Sequence, residues 1–284
     1  MLVACVLGFF ILANSFSNIK SDNPVGEKTL SPLSQAKLTS TPTPTLSPTP
    51  TPTPTPTPVP LIGYCLKVPV LFYHHVQPQA MANQKRQGGM SVDNAIFDQQ
   101  MGYLAANGYK TITARELVDA LRTHGSLPSK SVVVTLDDGY RDIHEFAYPV
   151  FQKYHIVANL MIATGLLGGA DYMSWGDVEE MTRSGLIYLT DHTWSHYGVG
   201  TNDVDKIKFE VETAKTQLKD HTGQKIDIFT YPYGSFNNTA IKILRDDGFI
   251  GAFSTIPGFW QCDSFIMALH RTRVGNSSLP YYGL

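Results

Sequence analysis

From Leu66 onward the apolar positions of the chain switch repeatedly between two spacings. Short β-branched runs predict strands at 68–73, 131–136, 157–162, 186–190, 228–231, 250–254 and 271–274. Between them, apolar residues recur at three- and four-residue intervals. Phe97, Met101, Leu104 and Ala105 form one such stripe, which stops at Gly108. Thr113 with Glu116 makes a capping box ahead of the helix carrying Leu117 and Leu121. Further helices are predicted near 142–153, 175–184, 204–221 and 238–247, and Ile207, Val211, Ala214 and Leu218 mark the apolar face of the longest. Strand–helix alternation over about 215 residues implies a parallel sheet, closed or open. The length favours one α/β domain, a barrel of seven or eight strands.

Before Leu66 the pattern is different. Met1 to Phe16 is largely apolar and carries no charged side chain. It is short for a span of about 20 residues but long enough for a signal h-region, and Ala13-Asn14-Ser15 resembles a small-residue cleavage site. Export is expected, with cleavage and retention as an anchor both open. Lipidation at Cys5 is not expected, because the apolar run follows Cys5 instead of preceding it. Residues 17–40 are polar and irregular. Thr-Pro repeats then run from Thr41 to Pro60 with one break at Leu46-Ser47. Alternating proline forbids helix and predicts an extended spacer of about 3 Å per residue. The organisation expected is a signal peptide or membrane anchor over 1–16, a disordered Thr/Pro-rich linker over 17–60 and a folded domain over 61–284.

Composition narrows the partners. The 284-residue chain has a net charge of −2, which supplies no electrostatic case for nucleic acid or an anionic membrane surface. Charged residues are 16% and aromatic residues 11%, the latter suiting a sugar-handling surface as well as an ordinary core. Of the three cysteines, Cys5 belongs to the leader. Cys65 and Cys262 flank the folded region, so one disulfide between them is expected outside the cell. A monomer is expected, tethered to a membrane if the leader is retained.

The candidate chemistry lies at two strand ends. Asp137 and Asp138 follow the run Ser131 to Leu136, which reads as a strand buried on both faces. An unpaired buried carboxylate costs several kcal/mol, and two side by side repel. A metal ion both neutralises and separates them. An Asp-Gly turn is the plain alternative. His192 and His196 follow a second apolar run, Leu186 to Thr190, and at four residues' spacing can meet one cation. Two ligand sets at the C-terminal ends of two strands are what a barrel active site requires.

Thr135-Leu136-Asp137-Asp138-Gly139, His192-Thr193-Trp194-Ser195-His196 and Tyr231-Pro232-Tyr233-Gly234 resemble the three motifs of the polysaccharide deacetylase family, the NodB homology domain or family four carbohydrate esterases. The resemblance covers roughly 66–284. It implies a distorted (β/α) barrel, with Asp137 as catalytic base and Asp138, His192 and His196 holding a divalent metal. Zinc is the metal expected, with cobalt, nickel or manganese as alternatives. Pro232 and Tyr233 are implied on the substrate side, the backbone N–H of Tyr233 binding the oxyanion. The opening Val68 to Val76 resembles the branch that acts on poly-β-1,6-N-acetylglucosamine, a biofilm polysaccharide. There His74 aligns with an active-site histidine and is the expected catalytic acid, with His75 and His270 as alternatives.

The chain departs from the family pattern in places. Thr230 stands where an orienting arginine is usual, Tyr188 where a glutamate is usual, and Ala268-Leu269-His270 only approximates the late Leu-x-His motif. Arg271 and Arg273 resemble a closing arginine-containing strand of the exopolysaccharide branch. Arg141 is a candidate substitute for the missing arginine, and Asp142 is expected at a helix start, where it favours the dipole. Trp175, Trp194, Tyr197, Phe236 and Trp260 are candidates to stack on sugar rings. The activity expected is metal-dependent N-deacetylation of an extracellular N-acetylglucosamine polysaccharide. Alternatives are a peptidoglycan or chitin deacetylase or an acetylxylan esterase using the same site, a non-catalytic glycan-binding wall module, and a structural stalk protein.

Overall fold

The computed structural model describes residues 62–284. The leader expected over 1–16 and the linker expected over 17–60 lie outside the described residues. The strands in chain order are β1 (Cys65–Lys67), β2 (Val70–Tyr73), β3 (His75–Val76), β4 (Ser91–Val92), β5 (Lys110–Thr111), β6 (Ser131–Asp138), β7 (Ala158–Ile162), β8 (Ile187–Asp191), β9 (Ile228–Thr230), β10 (Gly251–Phe253), β11 (Trp260–Cys262) and β12 (Thr272–Arg273). The α-helices are α1 (Gln79–Gln84), α2 (Asn94–Ala106), α3 (Ala114–Thr123), α4 (Tyr148–Tyr154), α5 (Trp175–Arg183), α6 (Val204–Thr222) and α7 (Asn238–Asp246).

One sheet runs in the order β10-β9-β8-β7-β6-β2-β12, with β5 also paired to β6. All of its pairs are parallel. A short segment then touches both edges. Leu269 bridges Phe253 in parallel, while Thr272 pairs with Leu71. The Arg271 N–H donates to Ile256 O, and the Val274 N–H donates to Phe72 O. The sheet therefore curls into the distorted barrel that the family resemblance implies.

Alternation along β6 divides the core. Val132, Val134 and Leu136 join Leu71, Leu160 and Leu189 beneath the outer helices, against Phe97, Phe151, Val211 and Leu244. Val133 faces the other way, with Val70, Ile228 and Phe253, onto Leu117, Val118 and Leu121 of α3. Each such side chain contributes about 1.5–3 kcal/mol on burial. The predicted capping box is present: Thr113 accepts from the Glu116 N–H, and the Glu116 carboxylate accepts from the Thr113 N–H. Gly251 permits the close packing, since a Cβ there would lie 2.6 Å from Val118 Cγ2. Thr135 and Asp137 share the parity of Val133. The inner face that carries α3 at one end of β6 thus carries Asp137 at the other.

One expectation is refined and one changes. The helix predicted over 142–153 is a π-helical turn at Ile143–Ala147 followed by α4. The span is helical without a break from 141 to 154, and the π-helical turn lies just ahead of Pro149, which has no N–H to give to the preceding turn. Asp142 makes no capping bond. At the barrel's side, β1 and β11 pair antiparallel with Cys65 opposite Cys262, and these two cysteines form the expected disulfide.

Candidate active site

β6 ends in Asp137 and Asp138, and their environments differ. Asp137 is buried at 3% exposure and receives two parallel bonds from Arg271, Nη1 to Oδ1 at 2.7 Å and Nη2 to Oδ2 at 2.9 Å. Arg271 is itself buried. Its Nε donates to Ser254 O at 2.9 Å, and its guanidinium lies 4.4 Å from the centre of the Phe72 ring. Burial pushes the Asp137 carboxyl up, but the Arg271 guanidinium overcomes it and holds the group below the usual carboxylate range.

Asp138 turns away from this pair by adopting a left-handed conformation, φ 75°. Its Oδ1 lies 3.3 Å from His192 Nε2 and 3.1 Å from His196 Nε2. Neither contact has hydrogen-bond geometry, so this buried oxygen has no hydrogen-bond partner. The ligand atoms of Asp138, His192 and His196 all lie within 4.8 Å of one another. His192 Nδ1 lies 2.7 Å from Thr230 O, a contact that places its proton there and leaves the Nε2 lone pair facing Asp138. One carboxylate oxygen and two imidazole nitrogens converging in a buried corner fit a divalent cation of nitrogen and oxygen preference. Burial opposes ionisation of Asp138, yet the two histidines hold its carboxyl well below the usual range.

The loop from His192 to His196 is held under strain. Thr193 and His196 have φ 64° and 60°, and Tyr233 has φ 60°. With Asp138, half of the eight non-glycine residues at positive φ among the described residues sit at this site. Asp191, fully buried, accepts the Thr193 N–H at 2.7 Å, and burial drives its carboxyl well above the usual range.

These groups open onto a cleft of about 620 Å³ whose lining includes His74, Asp137, Asp138, His192, His196 and Arg271. Its apolar walls are Phe72, Tyr140, Tyr172, Tyr231 and Tyr233. Tyr233 is 74% exposed and meets His196 edge-on at 4.5 Å, whereas Pro232 is buried behind it and does not line the cleft.

Several expected residues stand elsewhere. His75 is buried away from the cleft, its Nδ1 2.6 Å from Asp142 Oδ2, while Asp142 Oδ1 accepts the Val76 N–H at 3.0 Å. Asp142 thus serves β3 rather than a helix dipole. His270 stacks on Phe265 at 4.5 Å, outside the cleft. Arg141 donates to Tyr172 O and Gly169 O on the surface, so it does not replace the missing arginine; Arg271 occupies that role in space. None of the five aromatics expected to stack on sugars lines the cleft. Trp175 lies on His221 at 3.9 Å, Trp194 meets Phe209 at 5.6 Å and Phe236 stacks on Tyr231 at 4.8 Å. Tyr140 and Tyr172 supply walls instead. Their signal lay in the residue after Gly139 and in a loop that no motif marks.

Comparison with known proteins agrees with this geometry. A family profile described as polysaccharide deacetylase matches residues 124–251. The polysaccharide deacetylase homologue YxkH of Bacillus subtilis (strain 168) is 30% identical over 209 residues, 73% of this chain and 71% of that protein. The poly-β-1,6-N-acetyl-D-glucosamine N-deacetylase of Staphylococcus aureus (strain MRSA252) is 26% identical over 205 residues, covering 65% of this chain and 70% of that protein. Its Escherichia coli (strain K12) namesake is 26% identical over 219 residues, 62% of this chain, and the match spans only 32% of that longer protein. Among solved structures, the Streptococcus pyogenes deacetylase PplD in complex with acetate aligns with TM-score 0.70 and 25% identity, over 76% of this chain and 97% of that one. IcaB from Ammonifex degensii aligns with TM-score 0.66 and 28% identity, over 76% and 95%. The barrel, its motifs and these relatives place the chain in the polysaccharide deacetylase family, as a hydrolase that removes acetyl groups from a polysaccharide.

Proposed function

We propose that the chain cleaves N-acetyl groups from an extracellular N-acetylglucosamine polysaccharide of the poly-β-1,6 type, with a divalent ion, zinc first, held by Asp138, His192 and His196. The observation that carries this reading is the division of labour at the end of β6. Asp137 is tied to Arg271 and Asp138 to the two imidazoles, so one carboxylate is free to move protons beside the other's ligand corner. A glycan-binding module has no use for that second, oriented acid. The polymer type rests on the opening strand, which brings His74 into the cleft, and on the names of the Staphylococcus aureus and Escherichia coli relatives. Action outside the cell is supported by the apolar leader, the Thr-Pro spacer and the Cys65–Cys262 disulfide.

Held by Asp138, His192 and His196, such an ion would supply Lewis acidity, lowering the pKa of water and polarising the acetyl carbonyl. Asp137 takes the proton of the attacking water, and Arg271 keeps that carboxylate ionised and aimed. The backbone N–H of Tyr233 donates to the acetyl oxygen as it gains charge, a contribution of about 3–4 kcal/mol for a well-placed donor. His74 gives a proton to the nitrogen as the C–N bond breaks, and acetate and a free amine leave. Burial lowers the pKa of His74, while the charges of Asp137 and Asp138 favour its protonated form. An amide needs that acid, because its nitrogen leaves poorly unprotonated.

The test is acetate release by the full chain, loaded with zinc, from β-1,6-linked and β-1,4-linked N-acetylglucosamine polymers, with Asp138→Ala as control. Release confined to the β-1,6 polymer is expected. Release from the β-1,4 polymer alone replaces the substrate with a chitin or peptidoglycan type. No release from any acetylated polymer removes the catalytic reading.

A further inference from the structure

We propose that Glu210 of α6 is the positioning residue of the metal-holding loop, fixing the backbone between His192 and His196 so that both imidazoles meet Asp138. The inference rests on the reading that these three residues hold a divalent ion. It concerns a residue that touches neither ion nor substrate.

Glu210 occupies a place where packing alone would select an apolar side chain. It sits beside Ile207 and Val211 on the buried stripe of α6 and is 0% exposed. Its carboxylate is fully engaged with the loop. Oε2 accepts the Ser195 N–H at 2.7 Å, and Oε1 accepts the Ser195 hydroxyl at 2.6 Å. The backbone carbonyl of Glu210 accepts the Trp194 N–H at 3.0 Å. One helical residue thus holds both residues that stand immediately before His196. Lys206, one turn earlier, places its ammonium 2.8 Å from Oε1 and supplies the counter-charge. Burial opposes ionisation here, but the donors of Lys206 and Ser195 bring the carboxyl below the ordinary glutamate range.

The loop needs such an anchor. Thr193 and His196, on either side of the held pair, are both left-handed. Non-glycine residues persist in that region only where their surroundings impose it. Helix α6 is a stiff mount, with Ile207, Val211, Ala214 and Leu218 seated in the core. A leucine at 210 would fill the same space but leave the Ser195 N–H and hydroxyl without their acceptors. The bonds of Asp191 to Thr193 and of Gly165 to Trp194 would still hold the first half of the loop, so the loosening would fall at Ser195, and His196, the less buried of the two imidazoles, would leave the corner first.

The experiment measures metal binding rather than turnover. Full-length wild type, Glu210→Gln and Ser195→Ala are stripped with a chelator. Each is titrated with Zn2+ against a chromophoric competitor, and the absorption spectrum of its Co2+ form is recorded. Glu210→Gln is expected to bind Zn2+ about 10–100-fold more weakly and to shift the Co2+ bands. Ser195→Ala, at an exposed position, is expected to lose roughly 2–10-fold, and the double variant to be no weaker than Glu210→Gln. Unchanged affinity and spectra in folded variants overturn the role of Glu210. If Glu210→Gln fails to fold, Ser195→Ala decides alone, its loss supporting the role and its unchanged affinity overturning it. A wild type that binds no divalent ion overturns the metal reading instead, and is a separate result.

Discussion

Arg271 and Asp137, 134 residues apart, meet in a bidentate pair at the floor of the cleft. The guanidinium does two things at once. It fixes the direction of both carboxylate oxygens, and it offsets the burial that would otherwise protonate them. A base works in its ionised form, so turnover is present above the Asp137 pKa and is lost as pH falls through it. Weakening the pair raises that pKa. In Arg271→Lys, the acid limb of the kcat/KM profile for acetate release is therefore expected to move to higher pH, with kcat reduced more than KM is raised. An acid limb that stays in place would refute the assignment. The depressed pKa also makes Asp137 a source of stability above its unfolded value of about 3.9, lost as pH falls through the folded value. Removing the partner outright, in Arg271→Ala, leaves an uncompensated buried carboxylate and is expected to cost about 3–5 kcal/mol in chemical denaturation.

The two adjacent acids should separate by experiment. Asp138→Asn keeps the shape of the ligand corner but removes its charge, so Zn2+ affinity and acetate release should be lost together. Chelation of the wild type should do the same, with zinc restoring release. Asp137→Asn should retain Zn2+ affinity while kcat falls about 10²–10⁴-fold, the usual loss of a general base. Equal Zn2+ loss in both variants, read by competitor titration, would contradict the division of roles.

How much of this was legible in the sequence depended on distance along the chain. Asp137 with Asp138, and His192 with His196, are close neighbours at the ends of strong apolar runs, so local pattern alone exposed them. The barrel was legible for the same reason, since each β-branched run became a strand of the one sheet. Arg271 was visible as an arginine in a closing strand. That it reaches Asp137 depends on the segment after Leu269 bonding to both β10 and β2, which no local pattern encodes. Glu210 was hidden by periodicity, because Ile207, Val211, Ala214 and Leu218 describe the apolar face of α6 without it. The helix over 142–153 was legible from its apolar spacing, whereas the π-helical turn just ahead of Pro149 was not, since it accompanies a donor that the proline lacks.

Three histidines were candidates for the acid, and their surroundings now give them different fates. His74 lines the cleft, and His74→Gln is expected to lower kcat on the N-acetyl polymer by about 10²–10⁴-fold. Its effect on an activated acetate ester should be much smaller, since an alkoxide leaves without a proton. His75 is buried against Asp142 and stacked on Tyr140 at 3.7 Å. His75→Ala should therefore lower stability through the unpaired Asp142 and the lost contact, by roughly 1–3 kcal/mol. His270→Ala should leave kcat near wild type. Parallel amide and ester assays with a thermal melt distinguish the three, and an amide-selective loss in His270→Ala would transfer the role.

The Cys65–Cys262 bond ties the start of the domain to β11, away from the cleft lining. Its sequence separation of 197 closes nearly the whole folded region into one loop. Loop-closure entropy for a span of that length corresponds to about 5 kcal/mol, stored in the unfolded chain rather than in native contacts. Reduction, or Cys65→Ser with Cys262→Ser, is thus expected to lower Tm substantially. Acetate release at a temperature well below the new midpoint should be unchanged, because neither cysteine lines the cleft. Scanning calorimetry with and without reductant, alongside the assay at low temperature, checks both halves. A loss of release before any loss of folded protein would mean that the β1–β11 pair reaches the site through the loop between β10 and β11, where Thr255 and Pro257 line the cleft.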